Sequence, residues 1–201
     1  MKPIKILSID FDYFIDTDIN TRNTKFPNGL DEAPKELINQ MWNESYAQFP
    51  EINDIGVTKG YYFICSYLKE NSFTKILIAD SHKEIKRLID LVPKHTPLEV
   101  YNIDFHHDMY HYFSSGEEVN CGNWARKLIF EDRIFNGEYT WIKRKDSDTM
   151  TLGGEVPCRK KTYLKNALRG IKFDYVFLCK SPEWTPPHLD IYYQDMINCI
   201  K

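Results

Sequence analysis

Leu98-Glu99-Val100-Tyr101-Asn102-Ile103-Asp104-Phe105-His106-His107-Asp108 is the stretch on which the fold reading turns. Its first six residues, 98–103, form a short β-rich run that stops at Asp104. The same event recurs along the chain. Residues 4–9 lead into Asp10, residues 75–79 into Asp80, and residues 175–179 into Lys180-Ser181-Pro182. Residues 139–142 make a less marked run of the same kind. Short, nearly continuous apolar runs fit strands buried on both faces. Helical patterns lie between them, at 33–48 with Asp31 near the start, 58–70 behind Thr58, 82–91, 123–130, 161–168 and 189–200. Strands alternating with helices predict an α/β fold, with a mostly parallel sheet between two helical layers. Residues 16–30 and 144–158 read as irregular. The second stretch carries Gly153-Gly154 and Pro157, and long loops of this kind are often functional.

Length and composition agree with one compact domain spanning 1–201. The chain has 201 residues, 42% of them apolar, and a formal net charge of −3, enough for a single full core. Charges of both signs are spread along it, without the basic stripe of a nucleic-acid binder. No apolar run is long enough to cross a membrane, and the N-terminus lacks the features of a signal peptide. A cytoplasmic location is the default expectation. The five cysteines, Cys65, Cys121, Cys158, Cys179 and Cys199, are widely spaced and form no C-x-x-C pair. They read as reduced, mostly structural thiols.

Polar residues gather where the strands end. Asp10 and Asp12 follow the first strand, Asp80 and His82 the second, and Asp104, His106 and Asp108 the third; Ser181 and Glu183 follow the last. In an open parallel sheet all carboxyl ends share one edge, where ligands bind. Several carboxylates brought together there would repel one another and resist ionisation. A divalent cation removes that conflict. Carboxylate oxygens with two imidazoles and no thiolate suit manganese, magnesium or iron better than structural zinc. So many ligands predict two adjacent ions, a pair able to activate water between them. Each piece also has an ordinary explanation: Asp10-Phe11-Asp12 as a solvated turn, His82 as a helix-start residue. The shared structural position is what joins them.

These residues resemble a known family. Asp104-Phe105-His106-His107-Asp108 resembles the Asp-x-His-x-Asp motif of arginase-like ureohydrolases, and Ser8-Ile9-Asp10-Phe11-Asp12 their Ser-Phe-Asp-x-Asp motif. Asp80-Ser81-His82 is similar to the segment with their first histidine ligand, and Cys121-Gly122-Asn123 to their Ser-Gly-Asn loop beside the substrate. The match covers these segments and not the whole chain. Here the Asp-x-Asp motif precedes the Asp-x-His-x-Asp motif, the reverse of arginases, and the chain is much shorter. This order, with Asp12-Tyr13-Phe14 and Ser181-Pro182-Glu183-Trp184-Thr185-Pro186, is most similar to the peptide arginases. Those convert arginine residues of ribosomal precursor peptides to ornithine and release urea.

The resemblance implies an arginase/deacetylase-like fold and two Mn²⁺ per chain. Asp10 and Asp104 would bridge the ions, with His82 and Asp108 completing one shell and His106 and Asp12 the other. Glu183 would grip the guanidinium through two parallel hydrogen bonds. Arginases carry a histidine two residues after the Asn of the Ser-Gly-Asn loop, but Ala125 stands there. His107, His111 and His188 remain as candidate proton donors, or are solvent-exposed histidines. Asn123 either touches substrate or caps the following helix. Cys121 lies beside it with no paired base. Tyr13, Phe14, Tyr110, Tyr112, Phe113, Trp124 and Trp184 flank the ligands, as walls of a peptide channel or as ordinary core. The implied partner is an arginine-containing precursor peptide; no nucleic acid or membrane is expected, and the oligomeric state is left open. The alternatives are a one-zinc deacetylase-like amide hydrolase, to which the doubled His106-His107 lends support, a ureohydrolase for free arginine or agmatine, and a non-catalytic peptide-binding protein. Six buried polar ligands without a metal would be costly in the last.

Overall fold

In the computed structural model the described residues are 2–27, 33–110, 118–134, 138–151 and 154–200. The strands are β1 (Ile4–Asp10), β2 (Lys75–Ala79), β3 (Leu98–Ile103), β4 (Tyr139–Ile142), β5 (Met150–Thr151), β6 (Gly154–Glu155), β7 (Arg159–Lys161) and β8 (Tyr175–Cys179). Six of them form one sheet in the order β2-β8-β1-β3-β4-β7, with every neighbouring pair parallel. The last strand is inserted between the first two. It therefore brings its own carboxyl end, Ser181 and Glu183 included, beside that of β1.

Alternation along the strands divides the core into two layers. Leu7, Ile9, Ile103, Val176 and Leu178 face one cluster; Ile6, Val100, Trp141, Phe177 and Cys179 face the other. The first layer is covered by α2 (Lys35–Gln48), α3 (Lys59–Glu70), α6 (Leu164–Leu168) and α7 (Asp190–Asn198), and the second by α4 (Ile85–Ile89) and α5 (Trp124–Phe130). Helix α3 buries Tyr61, Ile64, Cys65 and Leu68, a spacing that makes one apolar stripe. The three-layer α/β expectation holds, because central strands covered on both faces are mainly apolar.

Departures occur where local pattern was weak. Residues 16–30 contain α1 (Ile19–Lys25), whose sequence INTRNTK has no apolar stripe. It is capped by Asp18, whose side chain accepts from the Thr21 amide at 2.7 Å, and anchored by the buried side chain of Arg22. The 161–168 pattern divides: Lys161 ends β7, and α6 begins at Leu164. Residues 82–91 open as a 3-10 turn, His82–Glu84, before α4. The 144–158 stretch carries the two-residue ribbon β5–β6. Pro34 occupies the cap position of α2, and Asp31 and Gly153 lie outside the described residues. No helix among the described residues is long and apolar enough to cross a membrane.

Candidate metal centre

Asp10, Asp12, His82, Asp104, His106 and Asp108 converge at the carboxyl ends of β1, β2 and β3. Five of the six are buried, and His106 is partly exposed. They form two halves. In one, His82 Nδ1 faces Asp104 Oδ2 and Asp108 Oδ2 at 3.1 Å each and Asp10 Oδ2 at 3.4 Å. In the other, His106 Nδ1 lies 3.1 Å from Asp12 Oδ2 and 4.0 Å from Asp104 Oδ1. Asp104 thus offers one oxygen to each half. Asp10 belongs to the His82 half: its Oδ1 accepts the Asp12 amide at 3.1 Å and its Oδ2 accepts the Ser181 hydroxyl at 2.6 Å. The bridging geometry implied for both Asp10 and Asp104 is seen here at Asp104.

The sequence places Ser8 and Trp124 beside the ligands and Asn102 not, but the role of all three in holding the ligands shows only in the structure. Asn102 Nδ2 donates to Asp104 Oδ2 at 3.1 Å and to Asp108 Oδ2 at 3.2 Å. Trp124 Nε1 donates to Asp108 Oδ2 at 2.5 Å, and Ser8 Oγ pairs with His82 Nε2 at 2.7 Å. Supporting bonds of this type orient metal ligands. Asp108 and Ser181 have φ of +53° and +48°, a conformation costing roughly 1 kcal/mol or more for a non-glycine residue. At both positions the chain leaves a strand end while aiming a polar side chain into the cluster. Cys179 Sγ, read from sequence as structural, lies with Asp10 and His82. It donates to the Asp80 carbonyl at 3.3 Å, and burial drives its thiol well above the ordinary range.

Electrostatics mark the cluster as under-compensated. Burial, then Asp12 and Asp104, push Asp10 up to about 6. Burial and Asp104 push Asp108 well above the carboxylate range. Burial would lower both imidazoles, but Asp108 with its neighbours raises His82 well above its ordinary value, and Asp12 raises His106. Asp104 is lowered: burial opposes ionisation, and the His82 imidazole overrides it. Protons are therefore standing in for positive charge. In each half one buried ligand atom makes no hydrogen bond among the described residues: His82 Nδ1 and Asp12 Oδ2. Both are atoms that would bind a cation, so the residues fit a pair of divalent ions supplied mainly with oxygen ligands.

A cavity of about 480 Å³ opens onto the cluster, lined among others by Phe105, Tyr110, Cys121, Asp148, Glu183 and Trp184. Glu183 is buried there. Asn123 stands at the cap position of α5 but makes no capping bond. Its Oδ1 accepts the Asn120 amide and its Nδ2 donates to the Glu118 carbonyl, closing the 118–123 loop. Of the other aromatic residues, Tyr13 and Phe14 belong to one core layer and Trp124 to the other; Tyr112 and Phe113 lie outside the described residues.

The two described candidate proton donors, His107 and His188, do not line the cavity at the cluster. His107 is buried with both ring nitrogens on backbone: Nδ1 accepts the Met109 amide at 3.0 Å and Nε2 faces the Met150 carbonyl at 3.3 Å. His188 bridges Tyr46 and the Ile55 carbonyl. His111 lies outside the described residues. Burial, first, holds the His107 imidazole down to about 4, against an ordinary 6.5. The unfolded chain therefore takes up this proton first. The resulting stability is complete above pH 6.5 and is lost as pH falls towards 4, about 3 kcal/mol in all. Urea unfolding at pH 7 and 4.5 is expected to show a shallower acid loss in His107→Gln; equal losses would contradict this placement.

Compared with protein-family models, with curated proteins and with solved structures, the chain matches none of them.

Proposed function

We propose that this protein is a metal-dependent C–N hydrolase that removes urea from arginine residues of a precursor peptide, leaving ornithine. The observation that carries the reading is the Asp104 carboxylate, with one oxygen towards each of two ligand groups. When bound, a pair of Mn²⁺ ions would supply Lewis acidity and an activated water. The chain's own residues would do the rest. Asp104 links the halves, His82, Asp108 and Asp10 serve one ion, and His106 and Asp12 serve the other. Glu183, buried in the cavity wall, would pair with the planar guanidinium. Phe105, Tyr110 and Trp184 offer aromatic surface to the same cation.

Cavity charge supports a peptide over free arginine. The charged groups lining it are Asp10, Asp108, Asp148, Glu183 and the two histidines, with no Lys or Arg among the described residues. A free α-carboxylate would find no Lys or Arg partner among them, and the two imidazoles already face the cluster's own carboxylates. The one-zinc alternative loses its particular support, because His106 faces the cluster while His107 is held by backbone. Cys65, Cys158, Cys179 and Cys199 are unpaired as disulfides, which accords with a reducing compartment such as the cytoplasm.

The test is incubation with Mn²⁺ and arginine-containing peptides, reading urea and a mass loss of about 42 Da for Arg to ornithine. Two bound ions with no arginine compound transformed would sink the reading. Glu183→Gln is expected to lower kcat/KM by roughly 10²–10³-fold, through loss of a buried charged pair. An unchanged kcat/KM would remove Glu183 from the substrate site.

A further inference from the structure

The two halves of the metal centre are not equivalent, and the difference is a buried arginine. Arg22 reaches from α1 to the back of the turn after β1 with no solvent exposure. Its Nη2 donates to the Asp12 carbonyl at 2.7 Å and the Ile15 carbonyl at 3.2 Å. Nη1 lies 3.6 Å from Asp12 Oδ2, and the guanidinium carbon lies 4.1 Å from the centre of the Phe105 ring. The positive charge is thus fixed beside one ligand of the His106 half.

The His82 half is built differently. Three carboxylate oxygens surround His82 Nδ1 within 3.4 Å. Ser8, Asn102, Trp124 and Ser181 hold those four ligands from outside. Among the described residues the ion-pair partners of Asp10, Asp104 and Asp108 are histidines. The His106 half has Asp12, the far oxygen of Asp104 and a partly exposed imidazole. One of its two carboxylates already faces a cation. A divalent ion entering there meets less negative charge and the repulsion of Arg22.

We infer that Arg22 is an internal counter-ion that makes the centre unequal: the His82 half takes a divalent cation first, and the His106 half takes one last. This rests on the metal-dependent reading above. Arg22 acts through Asp12 as a positioning residue. The concentration of free metal would then set how much of the protein holds both ions, and activity would follow the second step.

Manganese titration into the metal-free full chain, followed by the free-ion electron paramagnetic resonance signal, tests this. The expected result is two steps of one ion each, separated on the order of tenfold or more in affinity. His106→Asn should keep the first step and lose the second; His82→Asn should lose the tight step. Arg22→Lys, which retains the charge, should keep the gap between the two steps. Two ions binding in a single step, or a tight step lost in His106→Asn and kept in His82→Asn, would overturn the inference. Unequal steps without urea release would sink the hydrolase reading alone. Urea release with equal steps would sink the inequality alone, and no binding at all would sink both.

Discussion

Asp104→Asn is expected to abolish manganese-dependent activity, by about 10³-fold or more, while leaving the metal-free fold nearly as stable as before. Among the described residues the two halves share only this carboxylate, so its loss removes a ligand from both at once. Without metal, two effects oppose. The change relieves repulsion on Asp10 and Asp108, which Asp104 helps to raise. It also takes an anion from beside His82 and places an amide where the His106 N–H now donates to Asp104 Oδ1 at 2.8 Å. The net change in metal-free stability should stay within about 1 kcal/mol. With metal the proteins should part. Ion at a thousandfold excess over Kd adds about 4 kcal/mol to the wild type, roughly 8–16 °C in Tm for a chain of this size. The variant should show little of that rise. Thermal unfolding with and without Mn²⁺ separates the contributions; a large metal-free loss with an intact manganese shift would make Asp104 a structural residue.

Arg22→Met should destabilise the fold by about 3–5 kcal/mol, or roughly 6–20 °C in Tm. Burial brings the guanidinium down to about 10 against the pull of Asp12, so it stays charged at neutral pH. Methionine fills a similar volume but leaves the Asp12 and Ile15 carbonyls without this donor and Asp12 without its counter-charge. Arg22→Lys should recover part of the loss, since one ammonium restores the charge but not the forked geometry. A loss under about 1 kcal/mol in urea unfolding would show that the pair contributes little and that α1 is held by other contacts.

How much was legible varied with range. The central strands could be read because apolar residues must cover both faces. The α3 stripe could be read because Tyr61, Ile64, Cys65 and Leu68 recur at helical spacing. Helix α1 could not, because what fixes it is one long-range polar anchor and an Asp18 cap rather than periodicity. Edge strand β7, Arg159-Lys160-Lys161, has no apolar signature and is defined by pairing with β4. Asn102 looked like an ordinary strand residue and Trp124 like a channel wall or core ring, and nothing in their local pattern marks the bonds they make to Asp104 and Asp108. His107 shows the converse: it remained a candidate donor once Ala125 ruled out the expected histidine, and in the fold the Met109 amide and Met150 carbonyl occupy its ring nitrogens.

By itself the sequence determined the layered parallel sheet and the placing of six ligand-type residues at strand ends, since both follow from local patterning and from the single edge that all parallel strands share. The tertiary structure alone decided that β8 enters beside β1, that Asp104 faces both ligand groups, and that Arg22 guards Asp12. Those outcomes depend on contacts between distant parts of the chain and on the backbone angle at which each strand is left, and neither leaves a periodic trace in the residues themselves.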